Sequence, residues 1–474
     1  MSGNTFVKMP DGSVKHNLME GPFAFIGHNS GISGDLGLNW QINENHSLGM
    51  KMNYGGMLFG NQDIVFEDNV YANDELIDIV HSTSHTTTPS SHTFTGNIYY
   101  DGNINKLHVN FNADFSDSGY KKETNVNENS QNDPAFIENL SDGVARMGAG
   151  KLVLSYPIWK GMFKIGTEET YVSAKQEYNS TKTEIPSSKA KIAENNISGF
   201  AEYALPFKYV QVVAGIRYEH VNFEYTNECS PKDNISRTHN NWFPSFNAST
   251  KIGPVGINLG YTTKIKRPRY DQLSTEMQYN NRFLYQTGDP TLLNEIQNTL
   301  SLNANWRWLT LTGAYEVVDN AIYQLGYPYD DDCTAMVKYS NAKETVRKLN
   351  IYLNASPTVG IWNPRYTVGM EKQYFETTVI DPRESTGTRV VKRNDPMFFV
   401  QANNSFKLKQ GWLIDLDYQY TSPFDYVMYK FTKPKHGLNL AVSKSFLKHD
   451  ALNVRLAWND ILNKTKEHVC TDYG

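Results

Sequence analysis

The sequence lacks the features that mark several common classes of protein. Only 3 of its 474 residues are cysteine and none form a CxxC pair, so neither a disulfide framework nor a zinc site is expected. Its 45 Lys and Arg against 50 Asp and Glu give a net charge of −5, which argues against nucleic-acid binding. No stretch approaches the roughly 18 consecutive apolar residues of a transmembrane helix. One disulfide bridge with one free thiol remains open.

The first residues also lack a secretion signal. Residues 1–8 contain no charged segment followed by an apolar one, which a signal peptide requires. If the protein acts outside the cytoplasm, we therefore expect its export signal to be missing from this sequence.

The composition that remains is polar, aromatic and rich in asparagine. Hydrophobic residues make up 39% of the chain and the mean hydropathy is −0.54. The usual apolar content of a globular protein is roughly 45–50%. Aromatic residues nevertheless reach 13%, which argues against disorder, and 48 residues are asparagine. The combination predicts a large all-β protein and argues against an α/β nucleotide-binding enzyme.

Apolar and polar residues alternate along nearly the whole chain, a pattern that predicts β-strands with one apolar face and one polar face. Clear examples are 107–115, 257–265, 412–420 and 452–458. In a membrane barrel the apolar face meets lipid and the polar face lines the interior. The residues predicted to face lipid are Leu107, Val109, Phe111, Ile414, Leu416, Val454 and Leu456. The residues predicted to face the interior are Asn110, Asn112, Asp415, Asp417 and Arg455.

Short and long links alternate between about eighteen such segments, many of which reach the ~9–11 residues that cross a bilayer. The short links lie near 43–45, 101–103, 159–161, 206–208, 253–255, 307, 409–411 and 448–450. The long links lie near 60–90, 118–144, 180–195, 226–240, 267–295, 327–335, 379–394 and 422–433. This order predicts an all-β, transmembrane, antiparallel up-and-down β-barrel of about eighteen strands, with turns in the periplasm and loops outside. Cys229, Cys333 and Cys470 should all lie at the loop end.

Soluble β architectures are the alternative to a membrane barrel. A half-exposed soluble sheet also alternates, whereas a propeller would show a repeat of roughly 40–45 residues that the sequence lacks. A sandwich of this many strands would be abnormally large. The membrane barrel is therefore favoured.

Six short motifs in a fixed order give roughly residues 195–466 a resemblance to a known family. They are 199–203, 214–219, 243–245, 267–268 with Tyr270 and Leu273, 288–292 with Glu295, and 459–463. Together they resemble the β-barrel of TonB-dependent outer-membrane receptors, in the branch called the outer membrane protein beta-barrel family. Their expected roles are structural: Arg267-Pro268 ends a strand, and 288–290 forms a turn.

The resemblance implies the barrel portion of a receptor in the bacterial outer membrane, for uptake of a nutrient such as a metal chelate or a glycan. The implied partners are outer-membrane lipid, TonB and the external nutrient, and no cofactor or nucleic acid is implied. External loops would capture the ligand, which would pass through the lumen after a plug rearranges. A plugless porin-like channel and a non-transporting barrel remnant are the alternatives.

The chain departs from the family's pattern in its plug, its strand number and its closing strand. We expect residues 1–30 to be an external loop or remnant segment, and residues 31–474 to be a barrel domain without a plug. About eighteen strands fall short of the 22-stranded transporters, and no closing strand follows Asn463. We therefore expect an incomplete or gapped barrel, with either an open seam or a strained contact between the first clear strand, about 32–41, and the last, about 451–461. A fragment of a larger receptor, a truncated reading frame and a degenerate relative all remain open.

No catalytic motif is present, so an enzyme is not expected, and we assign no catalytic, cofactor-binding, metal-binding or ligand-binding residue. His81, His85 and His92 could hold a metal, but a solvated loop is the favoured interpretation. The three aspartates at 330–332 could attract calcium, but an acidic loop tip is favoured. An outer-membrane protease or lipase would require a Ser/His/acid group at one barrel rim, and no spacing suggests one.

Overall fold

The computed structural model describes residues 2–8, 11–329, 335–447, 449 and 451–471, and it is built almost entirely of strands. Within these ranges the strands in chain order are β1 (Ser2–Lys8), β2 (Val14–Glu20), β3 (Phe23–Asn43), β4 (His46–Ala72), β5 (Glu75–Ile104), β6 (Leu107–Asn129), β7 (Ala135–Ile158), β8 (Gly161–Ser180), β9 (Ser188–Pro206), β10 (Val210–Asn227), β11 (Ile235–Ile252), β12 (Val255–Lys266), β13 (Gln278–Asn281), β14 (Leu284–Thr287), β15 (Glu295–Trp306), β16 (Leu309–Asp319), β17 (Ile322–Pro328), β18 (Ala335–Asn341), β19 (Val346–Ala355), β20 (Trp362–Ile380), β21 (Thr388–Arg393), β22 (Met397–Lys407), β23 (Trp412–Thr421), β24 (Phe424–Tyr426), β25 (Tyr429–Phe431), β26 (Lys435–Phe446), β27 (Leu452–Trp458) and β28 (Val469–Thr471).

Apart from the single residue 449, helical structure in the same ranges is confined to three short pieces. They are the α-helix α1 (Tyr270–Leu273) and two 3-10 turns, Pro231–Asp233 and Lys409–Gly411. No helix of the described residues is long and apolar enough to cross a membrane.

Eighteen of the strands pair edge to edge in one antiparallel ladder that runs from β3 to β27. The ten strands outside this ladder are β1, β2, β13, β14, β17, β18, β21, β24, β25 and β28. Successive ladder strands are neighbours throughout. The predicted up-and-down architecture and strand number are confirmed.

The ladder does not close on itself in the described residues. β3 pairs only with β4, and β27 pairs only with β26. Every side chain of β3 and β27 is exposed. Of the two arrangements predicted for the seam, the open one is therefore observed in the described residues.

The short links form one end of the ladder. Relative to the prediction, one link lies at a different position and one further link is present. Residues 101–103 lie inside β5, and the chain turns instead at Asn105, whose φ is 56°. Gly102 is closely packed, since a Cβ there would lie 2.5 Å from His46 Nδ1 and would displace that side chain. The link 356–361 between β19 and β20 is a further member of this end that the sequence did not reveal.

The predicted long links at 60–90 and 118–144 are wrong, because most of these residues belong to strands. β4 and β5 are 27 and 30 residues long and are joined only by Asn73 and Asp74, whose φ values of 49° and 67° suit a tight hairpin turn. Similarly, β6 and β7 leave only 130–134 between them. Polar residues had suggested loops, but they occupy strands that extend far beyond the ~9–11 residues needed to cross a bilayer.

The strand register assigns each side chain to a face, because residues paired across a ladder point the same way. In β6, Asn110 and Asn112 share a face with Glu128, and Tyr279 and Arg282 of the link before β15 cover that face at Glu128. A link that crosses several strands in this way lies inside the curved sheet. The two asparagines therefore face the interior, as predicted.

The same argument applies at the other end of the ladder. Asp415, Asp417 and Arg455 share the face of Phe375, which packs beneath the inserted hairpin β17–β18. Arg455 Nη1 lies 2.7 Å from Asp415 Oδ2 on this inner face. The opposite face presents exposed apolar side chains: Phe111, Leu416, Val454 and Leu456. The predicted assignment of lipid and interior faces is confirmed.

The inner face changes polarity partway along the strands. In β10 the interior positions are Arg217 and Glu219 near the short-turn end, and then Val221, Phe223 and Tyr225 toward the long-link end. The outer face changes in the opposite sense: Ile216 is 47% exposed and apolar, whereas the exposed positions beyond it include Asn222 and Glu224. Lipid outside and water inside explain the first half of the strand. The second half instead packs against protein.

The link 267–294 supplies that protein core at the external end. Leu273 and Leu292, both 2% exposed, pack with Ile192 and Tyr225, which are also buried. A second buried cluster lies beneath β17 and β18, where the rings of Tyr323 and Phe375 are 5.3 Å apart. Inserted links therefore pack against the inner face of the sheet at the external end.

Two of the three cysteines can be placed. Cys229 follows β10 and Cys470 lies in β28, which pairs with β25 among the long links. Both are free, exposed and at the predicted end. Cys333 lies outside the described residues, so its placement stays a prediction.

Candidate ligand-binding site at the external mouth

A chain of ion pairs runs up the inner wall toward the external mouth. Lys151 Nζ lies 3.4 Å from Glu168 Oε2, which is 3.2 Å from Arg217 Nη1. Arg217 Nε then donates to Glu219 Oε1 at 2.8 Å. The four residues come from β7, β8 and β10, and their inward positions follow from the register. Neighbouring charges are thus neutralised in pairs along the interior.

Arg267 connects this wall to the link that covers it. Its Nη2 donates to Glu219 Oε2 at 2.9 Å, and its Nε lies 3.1 Å from Glu194 Oε1. The strand β12 ends one residue earlier, at Lys266, and Pro268 cannot continue the ladder. Arg267-Pro268 therefore ends the strand, as predicted, and also anchors the chain where it turns inward.

A cavity of about 280 Å³ lies beneath this inward turn. Its polar lining includes Glu194, Arg237, His239 and Arg267, and its apolar lining includes Val221, Phe223, Tyr270 and Leu273. It sits where the inner wall changes from charged to apolar. Such a mixed lining, apolar with a few converging polar groups, is typical of ligand pockets.

Arg237 and His239 each contribute a nitrogen atom that makes no hydrogen bond within the described residues. The Arg237 guanidinium lies 4.7 Å from the centre of the Phe223 ring, and its Nη1 donates to the Thr291 carbonyl oxygen at 3.2 Å. Its Nε is buried without a hydrogen-bond partner among the described residues, and so is His239 Nε2. Burying a polar group unpaired costs free energy, so these atoms are candidates for contact with a ligand.

The link 267–294, which covers the cavity and is called its roof below, contains a close backbone contact that requires glycine. Gly288 N donates to the Ser274 carbonyl oxygen at 2.9 Å, and Asp289 N donates to that of Gln272 at 2.6 Å. A Cβ on Gly288 would lie 2.4 Å from both carbonyl oxygens. The motif predicted as a turn therefore joins two parts of the link, and Leu292 then enters the buried cluster.

The same link is fixed to the far wall by buried charges. Arg282 lies 3.2 Å from both Asp78 Oδ2 and Glu128 Oε2, and these carboxylates are 4% and 3% exposed. Tyr279 Oη also donates to Glu128 at 2.8 Å. Since Asp78 and Glu128 lie in β5 and β6, the link spans the mouth from β12 to the long hairpins.

Glu276 is a titratable group within this roof. Burial raises the pKa of its carboxyl to about 7. The positive charge of Lys122 opposes the shift without cancelling it. The roof therefore carries a group that ionises near neutral pH.

A second cavity, of about 750 Å³, lies at the open seam. It is lined by residues from both ends of the chain: Glu20, Gly21, Phe23, Asn69, Glu467, His468 and Val469. The segment before β28 thus reaches the start of β3 at the external end.

The histidines considered as metal ligands lie in strand β5 and not in a loop, so that placement was wrong. His85 Nδ1 lies 2.5 Å from Asp63 Oδ1, and His92 Nε2 lies 2.9 Å from Asp117 Oδ2. Across the described residues, no group of three or more His, Cys, Asp or Glu side chains could hold a metal ion. Residues 330–332 lie outside the described part of the chain.

Sequence reasoning missed the residues that line the cavity. Arg237 and His239 lie in 226–240, which was predicted to be a long link, although 235–240 is the start of β11. Their inward direction follows from pairing with Phe223 and Val221. The alternation Ile235, Arg237, His239 could have indicated one shared strand face, but only the pairing shows that this face is the interior.

The family of the chain is established by a model that matches most of its length. The family is described as the outer membrane protein beta-barrel family, and residues 101–474 match it. The chain belongs to this family. The expected membership of this family is thereby confirmed, and the chain is a β-barrel of the bacterial outer membrane. No curated protein matches the sequence.

Solved structures support the fold of this family member. The copper transporter OprC matches with a TM-score of 0.61 and 11% identity, over 95% of this chain and 75% of that one. The FrpB iron transporter of Neisseria meningitidis (F3-3 variant) gives 0.56 and 11%, over 95% and 78%. The siderophore receptor PirA of Pseudomonas aeruginosa gives 0.52 and 12%, over 99% and 78%. At these identities the likeness concerns the fold alone.

Proposed function

We propose that the chain is the barrel of an outer-membrane receptor that takes up a nutrient with energy supplied through TonB. The observation that carries this proposal is the external mouth, where the link 267–294 covers the inner wall and encloses a charged cavity. A receptor requires a structured ligand site at its mouth, whereas a passive channel requires an open one.

We propose a metal chelate as the nutrient class in preference to a glycan. The solved structures with the same fold include a siderophore receptor, a copper transporter and an iron transporter. The cationic donor Arg237 adds support, because it suits an acidic chelate better than a neutral sugar.

We further propose that the first strands lie outside the membrane. β2 pairs with residues 69–72 at the tip of β4, and the Arg383 guanidinium carbon is 4.0 Å from the Phe6 ring centre. The hairpin β1–β2 would then form part of the external rim, and the barrel would follow it from β3 onward.

The experiment is deletion of the gene in the bacterium that carries it, followed by uptake measurements with iron-loaded siderophores, copper and labelled oligosaccharides. We expect the loss of one metal-chelate uptake activity, which the wild-type gene restores and which an uncoupler of the proton-motive force abolishes. Loss of oligosaccharide uptake alone would replace the chelate class with a glycan class. Uncoupler-resistant uptake, with steady ohmic conductance of the purified chain in planar bilayers, would contradict the receptor and support a porin-like channel.

A further inference from the structure

One of the cationic side chains around the cavity has no ion-pair partner among the described residues. Four cationic side chains and three carboxylates form the wall and cavity network: Lys151, Arg217, Arg267, Arg237, Glu168, Glu219 and Glu194. The ion pairs of this network involve every member except Arg237, which makes none with any described residue. The network therefore carries a surplus positive charge at the cavity.

Other carboxylates near the cavity have their own cations. Asp289 Oδ2 lies 3.0 Å from Lys338 Nζ, and Asp271 Oδ2 lies 2.7 Å from Arg269 Nη2. Glu194 lines the cavity but lies 3.1 Å from Arg267. None of these groups neutralises Arg237 at ion-pair distance.

The guanidinium of Arg237 is held in place, and part of it is unused. Its contact with the Phe223 ring and its hydrogen bond from Nη1 to the Thr291 carbonyl oxygen fix the plane of the group. The Nε–H on the other side has no partner in the described residues. An arginine fixed by one edge presents its remaining donors in the planar fork that matches a carboxylate.

His239 places a second free donor or acceptor in the same cavity. It is two residues from Arg237 on the same strand face, and its Nε2 is buried without a partner in the described residues. Apolar side chains in the lining include Val221, Tyr270 and Leu273. A cavity of about 280 Å³ admits one small group and not a whole chelate.

We propose that this cavity binds a carboxylate carried on a small apolar group, with Arg237 as its ion-pair partner and His239 as a second hydrogen-bonding group. The proposal rests on the proposed receptor function for its biological meaning, since the carboxylate would belong to the ligand taken up. Binding to the cavity, however, does not require transport and can be measured on the barrel alone.

The test measures benzoate binding to the purified full chain in detergent micelles by titration calorimetry. Benzamide serves as the neutral isostere and inorganic phosphate as a different anion. We expect benzoate to bind, benzamide to bind at least about tenfold more weakly, and Arg237→Gln to weaken benzoate binding by about tenfold or more. Arg237→Lys should also weaken it, because the charge remains but the fork is lost.

Two controls separate binding from folding. Arg146→Gln removes an arginine that is paired with Asp117 and distant in sequence from the cavity, and it should leave benzoate binding unchanged. Heat-modifiable migration on gels reports whether each variant is folded. If Arg237→Gln does not fold, His239→Gln keeps the guanidinium and should weaken benzoate binding by about threefold.

Equal binding of benzoate and benzamide, or unchanged benzoate binding in folded Arg237→Gln, would overturn the proposal. So would a complete lack of benzoate binding, or tighter binding of phosphate than of benzoate. Loss of chelate uptake on gene deletion, together with any of these results, would leave the receptor function standing and remove only the carboxylate site. Benzoate binding without any uptake phenotype would leave the carboxylate site standing and contradict the receptor function.

Discussion

The half of the ladder next to the short turns and the half next to the long links belong to the same strands but bury different side chains. Near the turns, β10 directs Ile216 outward and Arg217 and Glu219 inward. Near the links, the same inner face carries Phe223 and Tyr225, and the outer face carries Glu224. The difference teaches that one strand register can serve two environments, because lipid surrounds one half and an inserted link fills the other.

The buried charges of the external half provide the strongest test of its protein core. Arg282→Met would leave Asp78 and Glu128 buried without a cation, so we expect a loss of about 3–5 kcal/mol in the stability of this region. Hydrogen exchange of backbone amides near 78–82 and 126–128 measures that free energy of opening. Adding Asp78→Asn and Glu128→Gln removes the unpaired charges and should restore much of it. If Arg282→Met alone lowered this free energy by no more than the loss of a surface ion pair does, the link would not be fixed by these charges.

A matched pair of substitutions compares the outer faces of the two halves directly. Ile216→Arg places a charge in the lipid-facing half and should destabilise the barrel by about 2–4 kcal/mol. Asn222→Arg places the same side chain six positions further along the same exposed face and should have little effect, because that half faces water. Urea unfolding from phospholipid vesicles measures both. Similar losses of stability for the two variants would contradict the proposed boundary between the lipid-facing and water-facing halves.

The pH dependence of the external half follows from Glu276. Because burial raises its pKa to about 7 from an ordinary value of 4.5, the folded link takes up a proton that the unfolded chain releases. Its stabilising contribution is complete below pH 4.5 and is lost as the pH rises through about 7. We expect the link 267–294 to be more resistant to limited proteolysis at pH 5 than at pH 8. Glu276→Gln should remove the difference, and an unchanged profile would mean that another group controls it.

A surface ion pair of the external half should matter least. Lys189 Nζ lies 2.7 Å from Glu228 Oε2, but the side chains are 52% and 69% exposed. Solvent screens such pairs, so Glu228→Gln should leave the denaturation midpoint unchanged within error. A clear shift would indicate that this rim is less hydrated than its exposure suggests.

The fold could be predicted from sequence where lipid imposes alternation. Leu416 and Val454 reveal their strands because apolar residues recur at every second position beside polar ones. The outer part of β4 carries Asn, Gln, Asp and Glu, that of β5 carries Ser, Thr and His, and both were predicted to be loops. Nothing local distinguishes such a strand from a loop, since its stability comes from pairing with a neighbour and from the link that covers it.

The cavity could not be predicted because it depends on contacts distant in sequence. Arg267 was identified as a landmark, but its partners Glu194 and Glu219 are known only from the pairing of β9 with β10. Arg237 is a polar residue in a polar segment until the register places it beneath Thr291. Composition indicates which charges are present. Only the folded position of the link 267–294 over the inner wall shows which of these charges lacks an ion-pair partner.

The polarity change along β10 also has a meaning as a length. About ten residues separate its start at Val210 from Glu219, and at a rise of ~3.3 Å and a tilt of ~40° they span about 25 Å. This matches the apolar band of about 25 Å that outer-membrane barrels present to lipid. The length of the lipid-facing part of β10 therefore indicates the thickness of the membrane to which the barrel is adapted. In vesicles of longer-chain lipid, the hydrophobic mismatch would draw Asn222 and Glu224 toward the acyl region, so the bilayer would have to thin around the protein or the barrel would have to change its tilt.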